Sequence, residues 1–282
     1  MVCRQWQSDW VFLAMHCAVI GSPINHSLSP DLHRAAYRTL GLNWAYTRHE
    51  VAAEGVARFV ARLDGDWRGL SVTMPCKAAI VELGVGDEVV RALGVANTVI
   101  FDGLPADRSS TRVHNTDVPG AQMVLRGVGV QPGSHVLVYG NGATARSIIY
   151  ALARMGLTQV AVRGRDQAKT AALSHDGQDW GIEVVAAEKA VNRSDVIIST
   201  VPAAVAGEWA DLSKVGVVFD VLYDPWPTPL IAFARRRGIQ VRTGLDLLAA
   251  QAVGQVKLMT GRSISFAVLR EAAREGIARR SG

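Results

Sequence analysis

The sequence predicts an α/β protein made of two domains. Short apolar runs alternate with helical stretches, the pattern of strands layered against helices. Near the middle of the chain, a strand running into a glycine-spaced turn opens a second unit. A length of 282 residues is long for one compact core and natural for two.

A first strand is expected at about 17–20, ending in Gly21-Ser-Pro and a polar loop. Pro30 has the fixed φ of a first helical turn; Leu32, Ala35, Ala36 and Leu40 follow at helical spacing, and Gly41 ends the run. Trp44-Ala-Tyr46 reads as a second strand, 53–63 as a helix, and Gly69–Thr73 as a third strand, followed by Pro75 and another helix. Val95–Phe101 and Arg112–His114 complete this half. The second half opens with Gly133–Tyr139, a buried-strand run, then a helix over about 143–156 closed by Gly156. Strands follow at Gln159–Val162, 195–200 and 215–220, and the tail from Leu245 to Ala278 reads as two helices. There is no internal repeat or low-complexity segment.

Hydrophobic residues make up 49% of the chain, enough for a substantial core, yet no run approaches the ~20 apolar residues of a membrane span. No membrane partner is expected. The net charge is +5, with the arginines scattered. Their one cluster, Arg235-Arg236-Arg237, precedes Gly238 at the end of a helical stretch, where cations complement the helix dipole and glycine caps the end. No aromatic interleaving accompanies it, so no nucleic-acid partner is expected, and the mild basicity suits small anionic ligands. Cys3, Cys17 and Cys76 are odd in number and lack ligand spacing, which points to a reducing, cytoplasmic setting and no metal site. Residues 1–14 read as a loose, disordered extension, or as sequence upstream of a true start at Met15. A signal peptide fits less well, because His16 interrupts the apolar run, which continues straight into a strand.

Lys77 stands out because the chain holds five lysines against twenty-five arginines. A guanidinium cannot release a proton near neutral pH, whereas a partly desolvated ammonium can. The plain alternative is an exposed lysine at a helix start.

Gly140-Asn141-Gly142-Ala143 follows a strand and opens a helix. The first glycine permits a tight turn, and the second lets backbone amides approach a pyrophosphate at the helix N-terminus. A bare GxG is weak evidence, but the strand–turn–helix–strand context indicates a dinucleotide in a Rossmann-like, doubly wound domain. Where an NAD site carries an acid at the end of the second strand, this chain has Arg163-Gly-Arg165, whose guanidiniums suit a 2′-phosphate. NADP(H) is therefore expected, while Asp166 keeps NAD open. The missing carboxylate also counts against an S-adenosylmethionine enzyme.

Further clusters are Ser27-Leu-Ser29-Pro30, Ala96-Asn97-Thr98, Asn115-Thr-Asp117 and Gly244-Leu-Asp-Leu-Leu-Ala-Ala-Gln251. Alone, each has a structural explanation as a helix start, turn or cap. With Ser71-Val-Thr73-Met-Pro75-Cys-Lys77, the GxG turn and Asp220-Val-Leu-Tyr223-Asp-Pro225, they occur in one order over residues 16–262. This pattern resembles the shikimate dehydrogenase family.

The resemblance implies an NADP-dependent oxidoreductase interconverting 3-dehydroshikimate and shikimate, a step in making aromatic amino acids. By position, Ser27 and Ser29 would hold the substrate carboxylate. Thr73, Asn97 and Gln251 would bond its ring hydroxyls, Lys77 and Asp117 would form the catalytic pair, and Tyr223 would lie near the substrate. Gly140, Asn141, Gly142, Ala143, Arg163, Arg165 and Gly244 would line the cofactor site. The implied architecture is a substrate domain of residues 15–117, completed by helices in 246–282, around an inserted NADP-binding domain of residues 118–245. A monomer or homodimer is expected.

The chain departs from the family pattern at several positions. Ser71 stands where Asn is usual, Cys76 where His is common, and Ala143 where a second glycine follows the turn. Thr200-Val201-Pro202 replaces the usual Asn-Ala-Thr before its proline, and Gly164 and Asp166 flank Arg165 in place of Asn and Thr. Two other readings stay open: a quinate-active relative using NAD, and a nucleotide sensor without catalysis, which would have no use for both Lys77 and Asp117.

Overall fold

The protein is described by a computed structural model covering residues 15–187, 194–202 and 215–281. The expected extension at 1–14 lies outside the described residues.

The first sheet holds β1 (His16–Gly21), β2 (Ala45–Glu50), β3 (Trp67–Val72), β4 (Val85–Gly86), β5 (Thr98–Phe101) and β6 (Thr111–His114). Their order is β2-β1-β3-β5-β6-β4. It is a mixed sheet: β1 runs parallel to β2 and β3, whereas β5 is antiparallel to both β3 and β6. Helices α1 (Ser29–Thr39), α2 (Val56–Val60) and α3 (Glu88–Leu93) belong to this half.

The second sheet holds β7 (Val136–Tyr139), β8 (Gln159–Arg163), β9 (Glu183–Ala186), β10 (Ser194–Ser199), β11 (Val215–Asp220) and β12 (Gln240–Thr243). Its order is β12-β11-β10-β7-β8-β9, with every pairing parallel. The strands climb from β7 to β9 on one side and from β10 to β12 on the other, so the direction reverses between β7 and β10. In a doubly wound sheet that reversal opens a ligand crevice at the strands' C-terminal ends. With α4 (Asp117–Arg126), α5 (Ala143–Ala153), α6 (Gln167–Trp180) and α7 (Pro229–Arg236), this is the expected Rossmann-like arrangement.

The chain closes with α8 (Gly244–Thr260) and α9 (Phe266–Ser281). Leu245, Ala249, Ala252, Val256 and Met259 of α8 join Leu28, Leu32 and Ala36 in one apolar core, so the tail returns to pack on α1. Helix α8 also crosses α4 very closely. A Cβ on Gly120 would lie 2.7 Å from the Gln251 nitrogen, and one on Gly254 would lie 3.1 Å from Thr116 Cγ2. Only glycine fits at Gly120.

Several elements differ from the sequence expectation. The helix placed after Pro75 is a 3-10 turn over Ala79–Leu83, and that at 53–63 is a 3-10 turn followed by the short α2. The short spacing between strands leaves little room for longer helices. The second strand is displaced, running Ala45–Glu50, and α3, β4, α6, β9 and β12 have no counterpart in the sequence expectation. Helix α7 ends as expected, with Arg235 and Arg236 in its last turn and Gly238 at φ 69°. Among the described residues no helix is long and apolar enough to cross a membrane, and no acid, histidine or cysteine cluster could hold a metal.

Candidate active site

Lys77 sits in the turn after β3, and Asp117 is the first residue of α4. Forty residues apart in sequence, they meet as an ion pair, Lys77 Nζ to Asp117 Oδ2 at 2.6 Å. Their side chains keep 29% and 22% of their exposure, so the pair is partly desolvated yet reachable from outside. This is not a solvated lysine at a helix start.

The other Asp117 oxygen is also held, because Asn97 Nδ2 donates to Oδ1 at 2.9 Å. The same amide reaches Thr116 Oγ1 at 3.0 Å and Gln251 Oε1 at 3.3 Å. Asn97 Oδ1 accepts from the Thr116 amide at 2.8 Å, and Asn115 Oδ1 accepts from the Asp117 amide at 3.0 Å. Asn97, Asp117 and Gln251 thus converge from β5, α4 and α8, and the α4–α8 crossing at Gly120 makes this possible. One hydrogen bond holds the carboxylate and another holds its main-chain amide, and the carboxylate in turn orients the ammonium.

A second layer supports these groups. Tyr46 donates to Ser71 Oγ at 2.7 Å, and Ser71 donates to Gln255 Oε1 at 2.9 Å. Gln255 donates to the Asn97 carbonyl at 3.0 Å, while His33 Nε2 bonds Gln255 Oε1 at 3.2 Å. His33 is fully buried, which lowers its pKa to about 4, so Nε2–H of the neutral ring is the donor. The ring stacks on Tyr46 at 4.1 Å. Ser71, where the family pattern has Asn, is therefore committed to an internal network that leads from Tyr46 through Gln255 to Asn97.

Ser29 opens α1, and Ser27 Oγ accepts from its amide at 3.3 Å. Thr73 lies just past β3, between Ser71 and Lys77. Tyr223 follows β11 and packs against the core containing α1 and α8, bridging the two halves. Cys76 is buried, and its thiol donates to the Val51 carbonyl at 3.1 Å.

At the crevice of the second sheet, Gly140 has φ 106°, and a Cβ there would lie 2.2 Å from Thr200 Oγ1 at the end of β10. Gly142 has open space on its Cβ side, and α5 begins after it without a side-chain cap. An anion can approach the first amides of α5 here. Asn141 Nδ2 donates to the Asp166 carbonyl at 2.6 Å and to Thr170 Oγ1 at 3.0 Å. A Cβ on Gly164 would lie 2.1 Å from Asn141 Nδ2, so the Asn141 amide explains glycine at 164. Asp166 caps α6 by accepting from the Lys169 amide at 3.1 Å, and its other oxygen lies 3.6 Å from Lys169 Nζ. That carboxylate caps α6 and pairs with Lys169, while Arg163, over the Tyr139 ring at 5.8 Å, and Arg165 stand at and just beyond the end of β8. Gly244 starts α8 where a Cβ would meet the Val221 carbonyl at 2.3 Å.

Two family models cover most of this frame. The shikimate dehydrogenase substrate binding domain matches residues 19–99, and shikimate/quinate 5-dehydrogenase matches residues 123–206. The shikimate dehydrogenase (NADP(+)) of Methanocella arvoryzae is 33% identical over 274 residues, covering 92% of this chain and 98% of the relative. The chain belongs to the shikimate dehydrogenase family. Among solved structures, the Mycobacterium tuberculosis shikimate dehydrogenase superposes with a TM-score of 0.82 at 36% identity, over 94% of this chain and 99% of the other. The Thermus thermophilus enzyme, solved with NADP(H) and shikimate, gives 0.79 at 28% identity, over 93% and 99%.

Family motifs had pointed to the first layer but not to the residues behind it. Gln255 follows Gln251 by one helical turn, a spacing that places both on one face of α8. Lys169 lies in the first turn of α6, close behind Arg165. Tyr46 carried no signal beyond an aromatic on a strand, and His33, which ends the family-like run from Gly21, carried no role.

Proposed function

We propose that this family member interconverts 3-dehydroshikimate and shikimate with NADP(H), using Lys77 and Asp117 at the reacting oxygen. The single observation that carries the reading is the Lys77–Asp117 contact of 2.6 Å, with Asp117 further fixed by Asn97. The activity and cofactor for which these relatives are named agree with it.

The crevice fits a dinucleotide: the uncapped start of α5 and the open space at Gly142 suit a pyrophosphate, and Arg163, Arg165 and Lys169 suit a 2′-phosphate. When bound, the nicotinamide supplies hydride exchange at its C4. The chain's residues do the rest. In reduction, the Lys77 ammonium donates a hydrogen bond to the ketone oxygen, stabilises the charge that grows there, and passes it a proton. Asp117 keeps the ammonium in position and accepts from the neighbouring hydroxyl. Thr73, Asn97 and Gln251 bond the ring hydroxyls, and Ser27, Ser29 and Tyr223 receive the carboxylate.

Absorbance at 340 nm, followed with shikimate or quinate and with NADP+ or NAD+, tests the proposal. Shikimate with NADP+ should give the highest kcat/KM by a wide margin. An equal rate with quinate and NAD+ would favour the broader-specificity relative that the inward commitment of Ser71 raises.

A further inference from the structure

We infer that Arg280, in the last turn of α9, is a positioning residue for the substrate carboxylate: it pins the Ser27 loop and supplies the positive charge of that subsite. The inference rests on the reading that Ser27, Ser29 and Tyr223 receive the carboxylate.

Two nitrogens of the Arg280 guanidinium bond successive carbonyls, donating to His26 O at 2.6 Å and to Ser27 O at 2.9 Å. A forked donor of this kind fixes the backbone of the loop, and with it the origin of the Ser27 side chain. Burial raises the Tyr223 phenol above its ordinary value, the Arg280 charge acts against that rise, and Asp224 adds to it. Among the described residues, no carboxylate pairs with Arg280. Its charge is left for an anion.

The end of α9 is held there by further contacts. Arg279 pairs with Asp31 in the first turn of α1 at 2.8 Å. Gly276 lets the helices close, since a Cβ there would lie 2.9 Å from Leu28 Cδ2 and 3.2 Å from Asp31 Cγ. Arg48 donates to the Asn25 carbonyl at 2.7 Å, so three consecutive carbonyls of the loop are held by two guanidiniums. The serines thus stand at the N-terminus of α1, whose N-cap Leu28 offers no side-chain acceptor, beside a nearby cation, and both favour a bound carboxylate.

The test compares Arg280→Gln, which keeps hydrogen-bond donors without charge, with Arg280→Lys, which keeps the charge. For R280Q, KM for shikimate should rise about three- to tenfold at low ionic strength, with kcat within about twofold of wild type. KM for NADP+ should not move. R280K, which keeps the charge but not the fork, should recover part of the loss, and added salt should raise the wild-type KM more than that of R280Q. With the methyl ester of shikimate, which lacks the anion, the gap between R280Q and wild type should shrink to the part that the pinned loop contributes. An unchanged KM in R280Q, an equal rise with the ester, or an R280K as impaired as R280Q would each overturn the inference. If R280Q folds poorly, the R280K comparison and the wild-type salt dependence decide. A wild-type chain that does not oxidise shikimate would overturn the proposed function as well, whereas a failure confined to Arg280 leaves that function standing.

Discussion

Gly120→Ala is a one-carbon change outside the site that should disable it. The added Cβ would sit 2.7 Å from the Gln251 nitrogen, 2.9 Å from its Cα and 3.0 Å from its Cβ. Ordinary contact begins near 3.4 Å, so α4 and α8 must separate by roughly 0.7 Å or distort locally. Two of the three close atoms are backbone, so no rotamer change relieves the clash. Overpacking of this kind costs about 1–3 kcal/mol, which for a chain of this size lowers Tm by roughly 2–10 °C. The effect on the site is larger than the effect on the fold. Asp117 starts α4 and Gln251 sits on α8, so the same separation strains the Lys77–Asp117 contact at 2.6 Å and the Asn97–Asp117 bond at 2.9 Å. Misplacement on the order of 1 Å can lower turnover about 10²-fold. Thermal melts beside initial rates at 340 nm give both readouts. A variant with wild-type Tm and wild-type kcat would show that the close crossing of α4 and α8 does not hold the site together.

Four other substitutions have definite outcomes. Arg165→Ala and Lys169→Ala should each raise KM for NADP+, by about tenfold or more, and leave KM for shikimate nearly unchanged; an unmoved cofactor KM removes that residue from the phosphate site. Tyr46→Phe deletes the hydroxyl that donates to Ser71 and so unties the Ser71–Gln255–Asn97 chain, which should cost about 1–3 kcal/mol in denaturant unfolding and raise KM for shikimate. Equal stability would mean that the Ser71 hydroxyl finds another partner. His33 is held neutral, with a folded pKa of about 4 against 6.5 unfolded, so the unfolded chain binds its proton first as pH falls. Stability from this group is complete above pH 6.5 and is lost on descending toward pH 4, by up to about 3 kcal/mol. His33→Gln should flatten that part of the pH dependence in urea titrations, and an unchanged slope would contradict the assignment.

Much of the fold was readable because its signals are local. The strand–GxG–helix run from β7 to α5 carries its own turn chemistry, and the Pro30 helix start and Gly238 helix end follow from single residues with fixed backbone preferences. The first half was less legible. Its two-residue β4 and the 3-10 turn at Ala79–Leu83 are too short to show a hydrophobic period, and tertiary pairing decides them. At the site, the family motifs named Lys77, Asp117, Asn97 and Gln251 and implied a Lys77–Asp117 pair, but what brings α4 and α8 together there was not visible: it depends on Gly120, whose role appears only when α8 lies against it. The departures likewise needed three dimensions. Gly164 is explained by the Asn141 amide that fills its Cβ position, and Ser71 by its place between Tyr46 and Gln255. No structural reason emerged for Ala143 in place of a further glycine.

The most direct test of the proposed chemistry is the Lys77→Ala variant, with kcat for shikimate oxidation measured beside the dissociation constant for NADPH. An ammonium working at the reacting oxygen predicts a fall in kcat of about 10²–10⁴-fold with cofactor affinity unchanged. Activity within tenfold of wild type, or a loss of NADPH affinity that parallels the loss of activity, would contradict it.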